Sequence, residues 1–258
     1  MKKLLISMMT ILSIWSVQTK ADLNDILSKG TVKIAVPEAF APFGSVGSSG
    51  EHIGYDVDVA KLIAKDLGVK LELVPVVSKQ RIPFLETGRV DLVISTMGAN
   101  PKRAKSINFS SAYAPFYSGA FAASTIEVSK PADLKGLKIG VTNGTLEDLE
   151  ITKTAPKSAK IVRFGDNAAT LSAFSSGQVQ VLIAGNTAAA ALAESNPSLD
   201  IVRKFIIKDS PCFIGIKKGN DDLLRWVNVF ILHKKLGGDL NKISQKWLGQ
   251  DLPPLPVL

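Results

Sequence analysis

The apolar and polar residues of this chain follow a repeating grammar of short strands and amphipathic helices. A short helix over 22–29 is ended by Gly30, and Val32, Ile34 and Val36 then alternate with the period of a strand that buries one face. Val59, Leu62, Ile63 and Leu67 recur three and four residues apart, which predicts an amphipathic helix over 56–67, closed by Gly68. A strand over 71–77 is interrupted by Ser78-Lys79-Gln80-Arg81. Ile82-Pro83 then opens a helix that Gly88 stops. Val90, Leu92, Val93 and Ile94 form a β-branched run that reads as a buried strand, left through the small, polar turn Ser95-Thr96-Met97-Gly98. Asn100-Pro101 has the chemistry of a helix start: Asn is a favoured cap, and the first helical position leaves the missing N–H of Pro unmissed.

The grammar repeats after a crossing over 113–118. Strands are expected over 137–141, 161–164, 179–183 and 201–207, with helices over 168–174 and from Ala188 to Glu194. Asn143-Gly144 is a turn, and Thr145 with Asp148 three residues on fits a capping box. An apolar return over 213–216 leads to helices over 223–235 and 240–248, separated by Gly237-Gly238. Strands alternating with helices imply an α/β fold with mainly parallel sheets covered by helices.

At 258 residues the chain suits one large or two modest domains, and 46% hydrophobic content is ordinary for a globular protein. The N-terminus is different. Lys2 and Lys3 precede an apolar run over 4–17 and a polar Gln18-Thr19-Lys20-Ala21, the layout of a secretory signal peptide cut after Ala21. The run is short for a membrane span, so the mature chain is expected to be exported and soluble. Cys212, the only cysteine, allows no internal disulfide and reads as a small buried hydrophobe. Loss of Lys2, Lys3 and Lys20 lowers the net charge from +8 to +5, a mild bias toward anionic ligands. The lysines are scattered rather than striped with aromatics, which argues against nucleic acid.

Three features bear on chemistry. Lys102 and Arg103 fall in the first turn of the helix expected after Asn100, where the macrodipole favours acids; either an anion belongs nearby or both side chains are simply solvated. Phe40 and Phe43 sit in a loop leaving the first strand, where open α/β sheets place ligands, and one of them packs in the core. Glu147 and Asp148 already answer the dipole of the helix that Thr145 starts, which favours a structural cap there over an anion site. No nucleophile-base order and no metal-ligand spacing occurs; His52 and His233 read as structural or solvated.

Four stretches carry a resemblance: GYDVDVAKLIAKDLGV from Gly54, RIPFLETGRVDLVISTMGANPKRAKSINFS from Arg81, DLKGLKIGVTNGT from Asp133, and LNKISQKWLG from Leu240. Together they make the chain similar to the periplasmic family 3 solute-binding proteins of polar amino-acid ABC importers, over about 30–248. The resemblance implies a two-lobed periplasmic binding fold of type II. After a signal peptide over 1–21, lobe one takes 22–115 and 213–258 and lobe two takes 116–212, joined by two crossover strands. It further implies a monomer in the periplasm that traps a small carboxylate or amino acid between the lobes by hinge closure. The closed form is presented to an inner-membrane permease, with no cofactor, metal or catalytic residue.

By the same resemblance, Arg103 is the arginine that grips a solute carboxylate, with Thr96, Gly98 and Thr145 completing that site. Ser78 and Arg81 look like the pair that meets the ligand's side-chain end in acidic-amino-acid binders, and Phe40 like the aromatic that covers the solute. One position departs from the pattern. The acidic residue that usually binds the solute's ammonium is replaced by Gly185, with Asn186 next as a partial substitute. The expected ligand is therefore an acidic or polar amino acid or a related carboxylate. The alternative is a cleft enzyme on the same scaffold, a dehydratase of cyclic carboxylates, for which Glu38 is the only loop acid to nominate.

Overall fold

The structure is a computed structural model that describes residues 23–257; the signal-peptide expectation lies outside the described residues. Helix α1 (Leu23–Lys29) leads into β1 (Thr31–Pro37). A loop carrying the small ribbon β2 (Ser45–Val46) and β3 (His52–Ile53) precedes α2 (Tyr55–Leu67). Then come β4 (Lys70–Val76), α3 (Arg81–Glu86), β5 (Leu92–Met97) and β6 (Ile107–Ala114). The middle of the chain forms β7 (Tyr117–Ala123), β8 (Lys138–Thr142), α4 (Leu146–Thr154), β9 (Lys160–Phe164), α5 (Asn167–Ser175), β10 (Val181–Gly185), α6 (Asn186–Ser195) and β11 (Ile201–Asp209). The chain returns through β12 (Cys212–Lys217) and ends on α7 (Asp221–Leu236) and α8 (Asp239–Leu248).

These strands make two five-stranded sheets, in the orders β4-β1-β5-β12-β6 and β11-β7-β10-β8-β9. In the first, β12 is antiparallel to both neighbours, so the other four strands share one direction. In the second, β7 alone is reversed. The reversed strand of each sheet is the one the chain enters on crossing from the other lobe. The crossings fall at Pro115-Phe116 and Ser210-Pro211, where each proline has no N–H to give to a ladder. Ser210 N–H donates to the Phe116 carbonyl at 2.9 Å, tying the two crossings together.

The period-two pattern of β1 sets the layers of the first lobe. Val32, Ile34 and Val36 pack with Val59, Ile63 and Leu67 of α2 and with Leu223, Val227 and Phe230 of α7. Ala35 faces the other way, with Val93, Leu85 of α3, Phe109 and Phe213. The second lobe repeats this, Ile139, Val141 and Ile183 packing on Ile151 of α4, and Leu182 on Phe174 of α5 and Ala189 of α6. Full burial of such side chains contributes about 1.5–3 kcal/mol each, so both sheet faces help fix where the strand ends sit. Cys212 is fully buried.

Two sequence expectations need correction. No helix follows Asn100-Pro101: Arg103–Lys105 makes a single 3₁₀ turn, and β6 begins at Ile107. Asn100 still caps, its Oδ1 accepting the Arg103 N–H at 2.8 Å, but the apolar β6 run takes the chain into the sheet after one turn. The turn expected at 95–98 also starts later, because β5 stays buried through Met97. Thr96 bends within it at φ 46°, a left-handed conformation that its bonds to Asp56 hold in place.

Candidate ligand-binding cleft

A pocket lies where the ends of β1, β4 and β5 meet the start of α4, at the two crossings. Phe40, Arg81, Thr96, Gly98, Arg103 and Thr145 line it, joined by Phe116, Leu146, Glu147, Asn167 and Ser210. The two lobes touch across it: a Cβ on Gly98 would lie 2.3 Å from Ser210 Oγ and 2.9 Å from Leu146 Cδ2, so only glycine permits this approach.

Arg81 opens α3 after the 3₁₀ turn Ser78–Gln80, which Gln80 steadies by accepting the Val77 N–H at 2.9 Å through Oε1. The Arg81 side chain is 5% exposed, and its buried Nε has no hydrogen-bond partner among the described residues. Burial, and then the charge of Arg103, press its pKa down to about 10, while Glu147 and Asp56 work the other way. The Nε loses hydration there without regaining a hydrogen bond among the described residues, a cost that an anion in the pocket would offset.

Arg103 is also buried but differently engaged. Its NH1 donates to the Gly98 carbonyl at 2.8 Å and its NH2 crosses the cleft to the Gly144 carbonyl at 3.0 Å. Both partners are neutral, so neither cancels its charge. Burial lowers its pKa and Glu147 opposes that. The cations that looked misplaced on a helix thus separate: Arg103 turns into the cleft, and Lys102 is exposed.

The hydroxyls of Thr96, Tyr113 and Thr145 are committed. The backbone N–H and Oγ1 of Thr96 both donate to Asp56 Oδ2, at 2.8 and 2.9 Å, and Tyr113 OH donates to Asp56 Oδ1 at 2.6 Å. Burial nevertheless raises the Asp56 pKa to about 6, against these three hydrogen bonds and the charge of Arg81. Thr145 caps α4, accepting the Asp148 N–H at 3.2 Å, while its own proton goes to the Thr142 carbonyl at 2.8 Å. The reciprocal half of the expected capping box is displaced by one residue, since Asp148 Oδ2 accepts from Gly144 N–H. With these donors engaged, the two guanidiniums are the strongest anion partners in the pocket.

Ser78 lies beside Arg81 on an adjoining pocket that also holds Glu38, Phe40 and Asn167, and its buried Oγ has no hydrogen-bond partner among the described residues. Gly185 and Asn186 do not line the cleft. Asn186 Oδ1 accepts the Tyr117 N–H at 3.1 Å, and Gly185 is covered by the Phe116 ring. Of the two loop aromatics, Phe40 faces the pocket and Phe43 is core, stacked 5.7 Å from it.

Sequence reasoning missed Asp56, Phe116, Glu147 and Ser210. Glu147 was legible only as a dipole-matching acid; the neighbour Asp148 does that work, accepting also from Arg163 Nε at 2.8 Å. Asp56 stands at the start of α2, where an acid needs no further explanation, and only the fold shows it holding the end of β5.

Two lobes, two hinge-like crossings and a charged cleft between them define a solute-binding protein. Residues 32–250 match the bacterial extracellular solute-binding proteins, family 3, and the chain belongs to that family. It is 31% identical over 208 residues to the ABC transporter glutamine-binding protein GlnH of Bacillus subtilis, covering 79% of this chain and 76% of that one. Among solved structures it is similar to an ancestral arginine-binding protein bound to arginine, with a TM-score of 0.80 and 31% identity over 85% of this chain and 99% of that one. It is also similar to the ancestral amino acid-binding protein AncCDT-1, a precursor of cyclohexadienyl dehydratase, with a TM-score of 0.79 and 30% identity over 87% and 98%.

Proposed function

We propose that this chain is the periplasmic binding component of an ABC importer, and that it traps a small anionic solute, an acidic or polar amino acid or a related carboxylate. The observation that carries the anionic part is the burial of Arg81 and Arg103 on one pocket, with the Arg81 Nε unpartnered among the described residues. In this reading 22–115 and 213–258 move as one lobe and 116–212 as the other about the crossings. The solute stabilises the closed form by touching both lobes, and the closed monomer docks on a permease. Arg103 and Arg81 hold carboxylate, with Phe40 covering the solute and Ser78 beside Arg81.

Calorimetry on ligand-stripped protein tests this against the amino acids and small di- and tricarboxylates. Binding confined to anionic members supports it; no binding by any of them, or preference for cations, refutes it. A dehydratase on the same scaffold would need an acid poised in the cleft, and Glu38, exposed on the adjoining pocket, is poorly placed for that. The purified protein is accordingly expected to leave prephenate-like acids unchanged.

A further inference from the structure

Lobe two brings one acid to the pocket. Glu147 is the second residue of α4 and only 7% exposed, yet its carboxylate makes no hydrogen bond or ion pair among the described residues. The acids around it are committed to the fold. Asp148 accepts from Gly144 N–H and Arg163 Nε, Asp166 accepts the Ala169 N–H at 2.7 Å, and Asp56 accepts from Thr96 and Tyr113. The dipole of α4 favours an acid in its first turn, but that gain is small beside the cost of burying a carboxylate with no partner.

Arg81 is in the same condition on the opposite wall, buried and with no side-chain hydrogen bond or ion pair among the described residues. Arg103 is buried too and bonds only to the neutral carbonyls of Gly98 and Gly144. The charge of Glu147 acts on both guanidiniums, yet it forms an ion pair with neither. Among the described residues that line the pocket, these three alone are charged.

Two cations and one anion held apart around one space are the complement of a solute with two carboxylates and one ammonium. A dicarboxylate without the amine leaves Glu147 unpaired and brings like charge toward it. An amino acid with a single carboxylate leaves one guanidinium without an anion, and a cationic one adds a further positive charge to a cleft that already holds two.

We propose that Glu147 receives the solute's ammonium, so that the cleft selects a short dicarboxylic amino acid over the same acid without its amine. The proposal rests on the anionic-solute reading and narrows it to one pattern of charge.

The test is calorimetry on ligand-stripped wild-type protein with pairs that differ only in the amine: L-glutamate and glutarate, L-aspartate and succinate. The amino acid is expected to bind at least tenfold tighter in each pair that binds. A plain diacid that binds equally or more tightly overturns the proposal and leaves the anionic reading standing. L-Glutamine binding as tightly as L-glutamate overturns both. Failure of all four acids overturns the proposal, and the wider panel of carboxylates then decides the anionic reading by itself. Glu147→Gln removes the charge at nearly constant size. It is expected to weaken L-glutamate at least tenfold and to leave glutarate unchanged or tighter, a split that a merely structural role would not produce. An unchanged ratio of the two affinities in the folded variant overturns the role of Glu147, while the wild-type pairs decide the ligand class without any variant.

Discussion

The two walls of the cleft use their polar groups in different ways. The first lobe contributes both guanidiniums, and behind them the buried Asp56 holds the end of β5 through Thr96. The second lobe contributes the start of α4, where Thr145 turns its hydroxyl proton back to its own chain, together with Glu147; beside it, Phe116 of the crossing covers Gly185. One wall therefore carries charge for the ligand, and the other supplies shape and a partial counter-charge. At this helix start the Gly144 and Asp148 N–H groups already have side-chain partners within their own lobe.

The largest effect should come from the first wall. Removing Arg103 or Arg81 by substitution with Ala is expected to weaken binding of the cognate anion by about thirty-fold to several thousand-fold, the equivalent of the roughly 2–5 kcal/mol lost when one side of a buried charged pair is truncated. Thr145→Ala should cost far less affinity, because its hydroxyl has no proton to give the ligand. Equal losses at Arg103 and Thr145 in calorimetry would break the comparison.

A second effect concerns stability on the same wall. The Asp56 pKa is raised from its ordinary 3.8 to about 6, so between those values the folded protein keeps a proton that the unfolded chain gives up. Its contribution is thus fully present below about pH 4 and lost as pH rises through about 6. The loss is on the order of 3 kcal/mol, at 1.36 kcal/mol per unit of pKa. Urea unfolding of wild type and Asp56→Asn at pH 4 and pH 7 checks this. The wild-type advantage should shrink toward pH 7, and a constant difference would show that Asp56 does not titrate in the folded protein.

The smallest expected effect lies where the walls meet. Gly98→Ala places a methyl 2.3 Å from Ser210 Oγ and 2.9 Å from Leu146 Cδ2, which the lobes can relieve by separating. Ligand affinity should fall about tenfold, close to 1.4 kcal/mol, with a larger radius of gyration by X-ray scattering. Wild-type affinity and compactness would mean that the two walls do not close on one another at this point.

The sequence made most of the framework legible because strand and helix periods are local: the alternation Val32, Ile34, Val36 and the stripe Val59, Ile63, Leu67 appear in the structure as the two faces of one core. The helix expected after Asn100 failed for a nonlocal reason, since the cap is real but the following residues belong to a sheet. Arg81, Arg103, Thr96, Gly98, Thr145 and Phe40, far apart in the sequence, line one pocket. Asn186 does not, because its amide is held by the backbone of β7, a partner about seventy residues away that no local pattern reveals. Gly185 read as a missing side chain; only the fold shows that Phe116 fills its place.

The most direct test of an anion held between Arg81 and Arg103 is native mass spectrometry of protein purified without denaturation, with the released solute identified by exact mass. A retained carboxylic acid, lost from the Arg103→Ala protein, is the predicted result. A retained neutral or cationic solute, or an acid still bound after the arginine is removed, would contradict it.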